Sequence, residues 1–270
     1  MVKHASTPRV LVVTDSSACL PPRVADRPHV RVLPIWILLE EGEFADGPET
    51  APLVYAALAA GHQVRSNPPT AVEYVKAIEE GDFDAAVVIT PAVEFTVMYR
   101  NASVARRLST RPVEVVDCRT AAAAQSLVVL AVVDAVEGGA SAAEAAGVAR
   151  EVAARADLLA ALPTMRAVEQ NASLPDATPG RVGAVMPSLF RFHEGTVMHV
   201  GDVRPGVDPV DALRQACDGS FGEALVFHAA EERLARRLAA LLPGRTRVVP
   251  FSPAMAVHTG AGWIGVAWLS

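Results

Sequence analysis

The chain is 270 residues long, 51% hydrophobic and 20% charged, with 24 basic side chains against 30 acidic ones and a formal net charge of −6. That balance suits a globular protein with a large core and excludes a nucleic-acid surface, which needs clustered Lys and Arg. No apolar run approaches the roughly 18–20 residues of a spanning helix, and Met1–Arg9 lacks the profile of a signal peptide, so a cytoplasmic protein without stable membrane insertion is expected. Three widely spaced cysteines, Cys19, Cys118 and Cys217, read as reduced thiols and form neither a disulfide framework nor a zinc site. Aromatic residues make up only 5%. Ala and Val therefore fill the core, leaving slim side chains where a long ligand could lie.

In chain order, Arg9–Thr14 is a β-branched run and reads as a buried strand. It ends in Asp15-Ser16-Ser17, either a ligand-binding rim at a strand end or the cap of the next helix. Val30–Leu39 predicts a strand pair or one kinked strand, followed by a turn at Glu40–Glu43. Residues Thr50–Gly61 read as a helix closed by glycine, and His62–Pro69 as a loop. A helix from Thr70, a strand at Asp84–Thr90, a helix through Tyr99–Leu108 and a strand at Pro112–Cys118 come next. The Ala-rich stretch Thr120–Val136 reads as a buried helix, and Ser141–Leu159 as another, with Ser141 and Glu144 forming its capping box. Short strands alternating with helices indicate a parallel-sheet, three-layer α/β domain over residues 1–160. Each of its strands is expected to end in a hydroxyl or an acid.

Pro163 begins a change, and Asn171–Gly180 is loop-like. Phe190–Val200 predicts a hairpin turning at Glu194-Gly195. A helix at Pro209–Ala216, a strand at Ala224–His228, a helix at Glu231–Leu242 and a strand at Arg247–Pro250 complete a second, α+β domain over 161–270. In the closing stretch, an apolar run stops at His258, passes Gly260 and Gly262, and becomes apolar again. This reads as a loop that sets one imidazole at the lip of a core, either as a packed core histidine or as a site residue.

The order of these features resembles the DegV family of bacterial fatty-acid-binding proteins over nearly the whole chain. The resemblance rests on Asp15-Ser16-Ser17, Ser66-Asn67-Pro68, Tyr99-Arg100-Asn101-Ala102, Asp117-Cys118, the lone Arg204 after the hairpin, and His258-x-Gly-x-Gly. It implies a carrier without catalytic residues or cofactor, with one long-chain fatty acid in a tunnel between the two domains. A partner fatty acid kinase would phosphorylate the carboxylate to an acyl phosphate. Ser66, Thr96 and His258 would hold that carboxylate, with Arg65 as an added clamp or a solvated side chain. Arg204, Asp15, Ser16, Thr259 and Gly260 would lie near the head group. Arg65 stands where the family has Thr, Thr96-Val97-Met98 replaces Ser-Gly-Thr, and Thr120–Ala123 replaces a Gly-rich helix start. The Gly-Gly-Arg motif is missing around Glu169–Ala172.

Elementary energetics agrees with such a ligand. Each buried methylene is worth about 0.8 kcal/mol, so a long tail supplies most of the affinity. A charge-assisted hydrogen bond adds about 1.5–3 kcal/mol and fixes orientation. The seven histidines show no metal-ligand spacing, and no phosphate-binding glycine loop or Gly-x-Ser-x-Gly elbow occurs. Two rivals stay open: a small hydrolase or transferase using Ser16 or Cys118 as nucleophile, and a ligand-free interaction module on the same fold. Transient membrane contact is compatible with each.

Overall fold

The computed structural model describes residues 9–162, 187–217 and 222–270. The expectations for Pro163, for the loop over 171–180 and for residues 169–172 lie outside the described residues. Strand β1 (Val10–Asp15) is buried along its whole length and runs into a single 3-10 turn, Ser16–Ala18. A short helix α1 (Pro22–Ala25) leads to β2 (Val30–Leu33). Pro34 separates β2 from β3 (Trp36–Leu39), and the two strands enter different sheets. The predicted pair is thus real but divided.

Strand β4 (Gly42–Ala45), helix α2 (Ala51–Ala59) and strand β5 (Arg65–Asn67) follow. β5 lies in the segment expected to be a loop. It completes a three-stranded antiparallel sheet in the order β4-β3-β5. Next come α3 (Ala71–Glu79), capped reciprocally by Thr70 and Glu73, then β6 (Ala85–Thr90), α4 (Met98–Leu108) and β7 (Val113–Asp117). Strands β2-β1-β6-β7 form a four-stranded, all-parallel sheet. Three of its strands end on Asp15, Thr90 and Asp117, whereas β2 ends on Leu33, against the expectation that every strand would end polar.

Helix α5 (Ala122–Glu137) is buried all round in its first turns, where Gln125 and Ser126 are the polar residues among Ala, Leu and Val. Its small Ala residues let it lie between the parallel sheet and a second sheet. Helix α6 (Ala142–Ala153) starts at the Ser141–Glu144 capping box but ends well before Leu159. The remainder is β8 (Ala156–Leu162), buried throughout, so the predicted long helix is corrected to a helix followed by a strand. The physical reason is that a strand covered on both faces is a continuous apolar run, which lacks the alternation that marks a strand. The expected division at residues 160 and 161 falls inside β8.

The hairpin β9 (Ser188–His193) and β10 (Thr196–Asp202) turns at Glu194 and Gly195, both at positive φ as a tight hairpin requires. Then follow α7 (Pro209–Ala216), β11 (Glu223–His228), α8 (Glu232–Leu241), β12 (Arg245–Pro250), α9 (Pro253–Thr259) and β13 (Ile264–Leu269). The second sheet is mixed and six-stranded, in the order β10-β9-β8-β13-β11-β12, with β11 and β12 parallel. Leu158 and Ala160 face α5, while Leu159 and Ala161 face α7 and α8. The parallel sheet likewise has α3 and α4 on one face and α5 and α6 on the other. α5 is therefore the shared layer between two sheets, and its N-terminal end is where the surrounding loops converge.

Candidate functional site

β5 and α9 bring the first two groups together. Ser66 pairs with the fully buried Ile37, so its side chain faces inward. Arg65 and Asn67 pair with Leu38 and Trp36 on the opposite face, as the two-residue repeat of a strand dictates. α9 is fixed at its start by Ser252, which caps Met255, and by Asp46, which accepts from the Ala254 amide at 2.9 Å. Gly260, at φ 79°, ends the helix and lets the chain turn into β13. His258 therefore sits on the last turn of a short helix, a correction to the loop expected there. The missed signal is Ser252-Pro253, a cap residue followed by proline at the first helical position. Ser66 Oγ and His258 Nε2 lie 2.8 Å apart. Burial lowers the His258 pKa, so its imidazole is neutral near neutral pH.

This pair lines a cavity of about 240 Å³ beside the N-terminal end of α5. Thr96 and Thr259 line it too, as does Ser17. The Thr259 hydroxyl donates to the Met255 carbonyl at 3.2 Å. The walls are otherwise apolar: Phe95, Met98, Leu158, Phe192, Met255 and Trp263. Phe95 meets Phe192 edge-on at 6.2 Å, and Trp263 stands edge-on against Phe251 at 4.3 Å. The hairpin tip is tied to the segment just before α5. Gly195 N–H donates to the Arg119 carbonyl at 2.6 Å, and the Arg119 guanidinium donates to the Glu194 carbonyl at 2.7 Å. Arg119 and Ala122 both adopt positive φ, of 53°, a conformation that L side chains rarely take; Ala122 falls in the stretch that replaces a Gly-rich helix start.

Asp15 is fully buried and does not line the cavity. It accepts from the Ser17 amide at 3.0 Å, from the Ser17 hydroxyl, and from Gln125 Nε2 at 3.1 Å. Burial outweighs these donors and pushes its carboxyl up to about 6. Ser17 thus bridges this buried network and the cavity. Both expectations for Asp15 apply in part: it caps the 3-10 turn and stands behind the cavity wall.

The remaining sequence candidates fall elsewhere. Arg65 is exposed on the outer face of β5, and Arg204 is exposed beyond β10; neither lines the cavity. Gly260 ends α9 without lining it, and Ser16 lines a second cavity instead. Of the two readings of Arg65, the exposed position fits the solvated side chain, because adjacent strand residues point to opposite faces. Cys118 is fully buried, and burial raises its pKa well above the ordinary thiol value, the opposite of an activated nucleophile. Sequence reasoning missed Leu158, hidden in the stretch misread as helix, and Phe192, which the alternation of the hairpin strand could have marked.

Among the described residues, no helix is long and apolar enough to cross a membrane. A family model described as an uncharacterised protein of the DegV family matches residues 9–270. A DegV domain-containing protein of Streptomyces coelicolor is 29% identical, covering 95% of this chain and 97% of its own. One from Mycobacterium tuberculosis is 24% identical over 95% and 96%. Among solved structures, a DegV family protein from Thermus thermophilus superposes with a TM-score of 0.85 at 20% identity, covering 97% of this chain and 100% of that one. DegV from Bacillus subtilis gives 0.84 at 17% identity, covering 97% and 99%. With the family model spanning all three sheets and the cavity, the chain belongs to the DegV family.

Proposed function

We propose that this chain binds one long-chain fatty acid, tail in the apolar cavity and carboxylate at Ser66 and His258. The observation that carries the reading is the 2.8 Å Ser66–His258 pair in the wall of an otherwise apolar cavity. A carboxylate taken from water needs donors, and two adjacent side chains plus the Thr96 hydroxyl provide them. The aromatic and aliphatic walls provide the affinity, at about 0.8 kcal/mol per methylene covered. Structural relatives support the ligand class. The Bacillus subtilis protein is described as a fatty acid binding protein, and one from Eubacterium eligens as loaded with heptadecanoic acid.

The carboxylate also changes the imidazole. An anion beside His258 favours imidazolium, against the lowered pKa of the free site. Loading therefore takes up a proton, and affinity falls as pH rises through the titration of the loaded site. The chain carries no phosphate-binding glycine loop. In this reading it acts as a carrier, and a partner fatty acid kinase makes the acyl phosphate at the mouth near Thr96. Val93 and Val97, 47% and 50% exposed on either side of that residue, offer an apolar rim for such a partner.

Mass spectrometry of lipid extracted from the denatured, purified protein tests the proposal. A fatty acid near one per chain is expected. An empty preparation that also refuses added palmitate would end it.

A further inference from the structure

A second cavity, of about 330 Å³, shares a wall with the first: Ser16 lines it where Ser17 lines the other, and Ser252 and Pro253 line it where Met255 and His258 line the other. Val32, His228 and Pro250 place it at the C-terminal ends of β2, β11 and β12. These strands have parallel neighbours, and such strand ends are where α/β sheets hold ligands. Its volume falls at the lower end of the roughly 300–1,000 Å³ usual for ligand pockets.

Asp46 supplies the one carboxyl in the lining, and it is only 9% exposed. It accepts from the Ser16 hydroxyl, from the Ser252 hydroxyl at 2.5 Å and from the Ala254 amide at 2.9 Å. Among the described residues no Lys or Arg lines the cavity or offsets the Asp46 charge. A buried carboxylate without a counter-charge is costly even when hydrogen-bonded. Burial raises its pKa in spite of those donors. The Tyr55 phenol, the His228 imidazole and the Ser16 hydroxyl complete the polar lining. Ala230, at the rim, holds φ at 66°, and strained backbone of this kind gathers at ligand sites.

We infer that this cavity binds a small organic ammonium compound, with its charged nitrogen against Asp46 and a hydroxyl or similar end toward Ser16 and His228. An organic cation fits better than a bare metal ion, since the described residues form no group of three or more His, Cys, Asp or Glu ligands. The inference is independent of the fatty acid reading.

Titration of the intact protein with ethanolamine, followed by amide chemical shifts, tests it. Ethylene glycol and glycolate serve as the uncharged and anionic counterparts. Saturable shifts at Tyr55, His228 and Ser252 are expected with ethanolamine alone. Asp46→Asn should weaken binding by about tenfold or more. Because Asp46 also anchors α9, Ala51→Leu, which fills the cavity from α2, should abolish the shifts while leaving that anchor in place. No saturable shift, equal shifts with ethylene glycol, or full binding by Ala51→Leu would overturn the inference.

Discussion

The two cavities are separated by little more than one turn and the start of one helix, yet they are built for different chemistry. Around the first, Phe95, Phe192, Leu158, Met255 and Trp263 present carbon, and the polar groups are neutral hydroxyls and a neutral imidazole. Around the second, a buried carboxyl stands among Tyr55, His228 and Ser16, with no Lys or Arg among the described lining residues. The switch occurs within single residue steps, at Ser16 to Ser17 and again from Pro253 to Ala254. A one-residue step in a turn or helix thus decides whether a side chain serves a dry slot or a charged one.

The comparison can be broken most forcefully by closing the first cavity alone. Leu158→Trp projects a larger ring from β8 into it. Excluding about four methylenes would cost about 3 kcal/mol, more than a hundredfold in fatty acid affinity. Ethanolamine binding should be unchanged, as Leu158 does not line the second cavity. Titration calorimetry with palmitate reads the first effect, and loss at both sites would mean that the cavities are not separate.

The shared wall can be probed through Asp15. Burial pushes its carboxyl up to about 6, above the ordinary carboxylate range, so the folded state holds the extra proton. The stability this lends is complete below the unfolded value and is lost as pH rises through about 6. The swing is roughly 3 kcal/mol at most. Asp15→Asn should therefore remove part of the stability change between about pH 4 and about pH 7, measured by urea unfolding at each pH. An identical pH profile in both proteins would contradict the assignment.

A smaller effect separates head group from tail. His258→Ala removes one charge-assisted hydrogen bond, worth about 2 kcal/mol, from fatty acid binding. The affinity for palmitate should fall further than the unfolding free energy does. Equal losses in both would make His258 a packing residue.

Much of this arrangement was legible in the sequence, and what was not has definite causes. β1, β6 and β7 are apolar runs bounded by polar residues; β6 ends on Thr90 as its pattern indicates, and β1 and β7 end one residue away from the expected Thr14 and Cys118. The capping boxes at Thr70 and Ser141 fix two helix starts. β8 was hidden because a strand buried on both faces has the composition of a buried helix. β5 was hidden because three polar residues carry no periodic signal; only pairing with β3 makes them a strand. The same gap misplaced Arg65, since facing direction follows from pairing. Ser66 and His258 are 192 residues apart, and motif order suggested both without showing that they touch. The second cavity left no mark, because Asp46, Tyr55 and His228 belong to separate segments that meet only when the two sheets close on α5.

The most direct test is a crystal structure of the protein with palmitate bound. The account predicts the carboxylate within hydrogen-bonding distance of both Ser66 Oγ and His258 Nε2, with the tail running past Phe95 and Leu158. A carboxylate bound elsewhere, with the Ser66–His258 pair unchanged and the cavity empty, would contradict it.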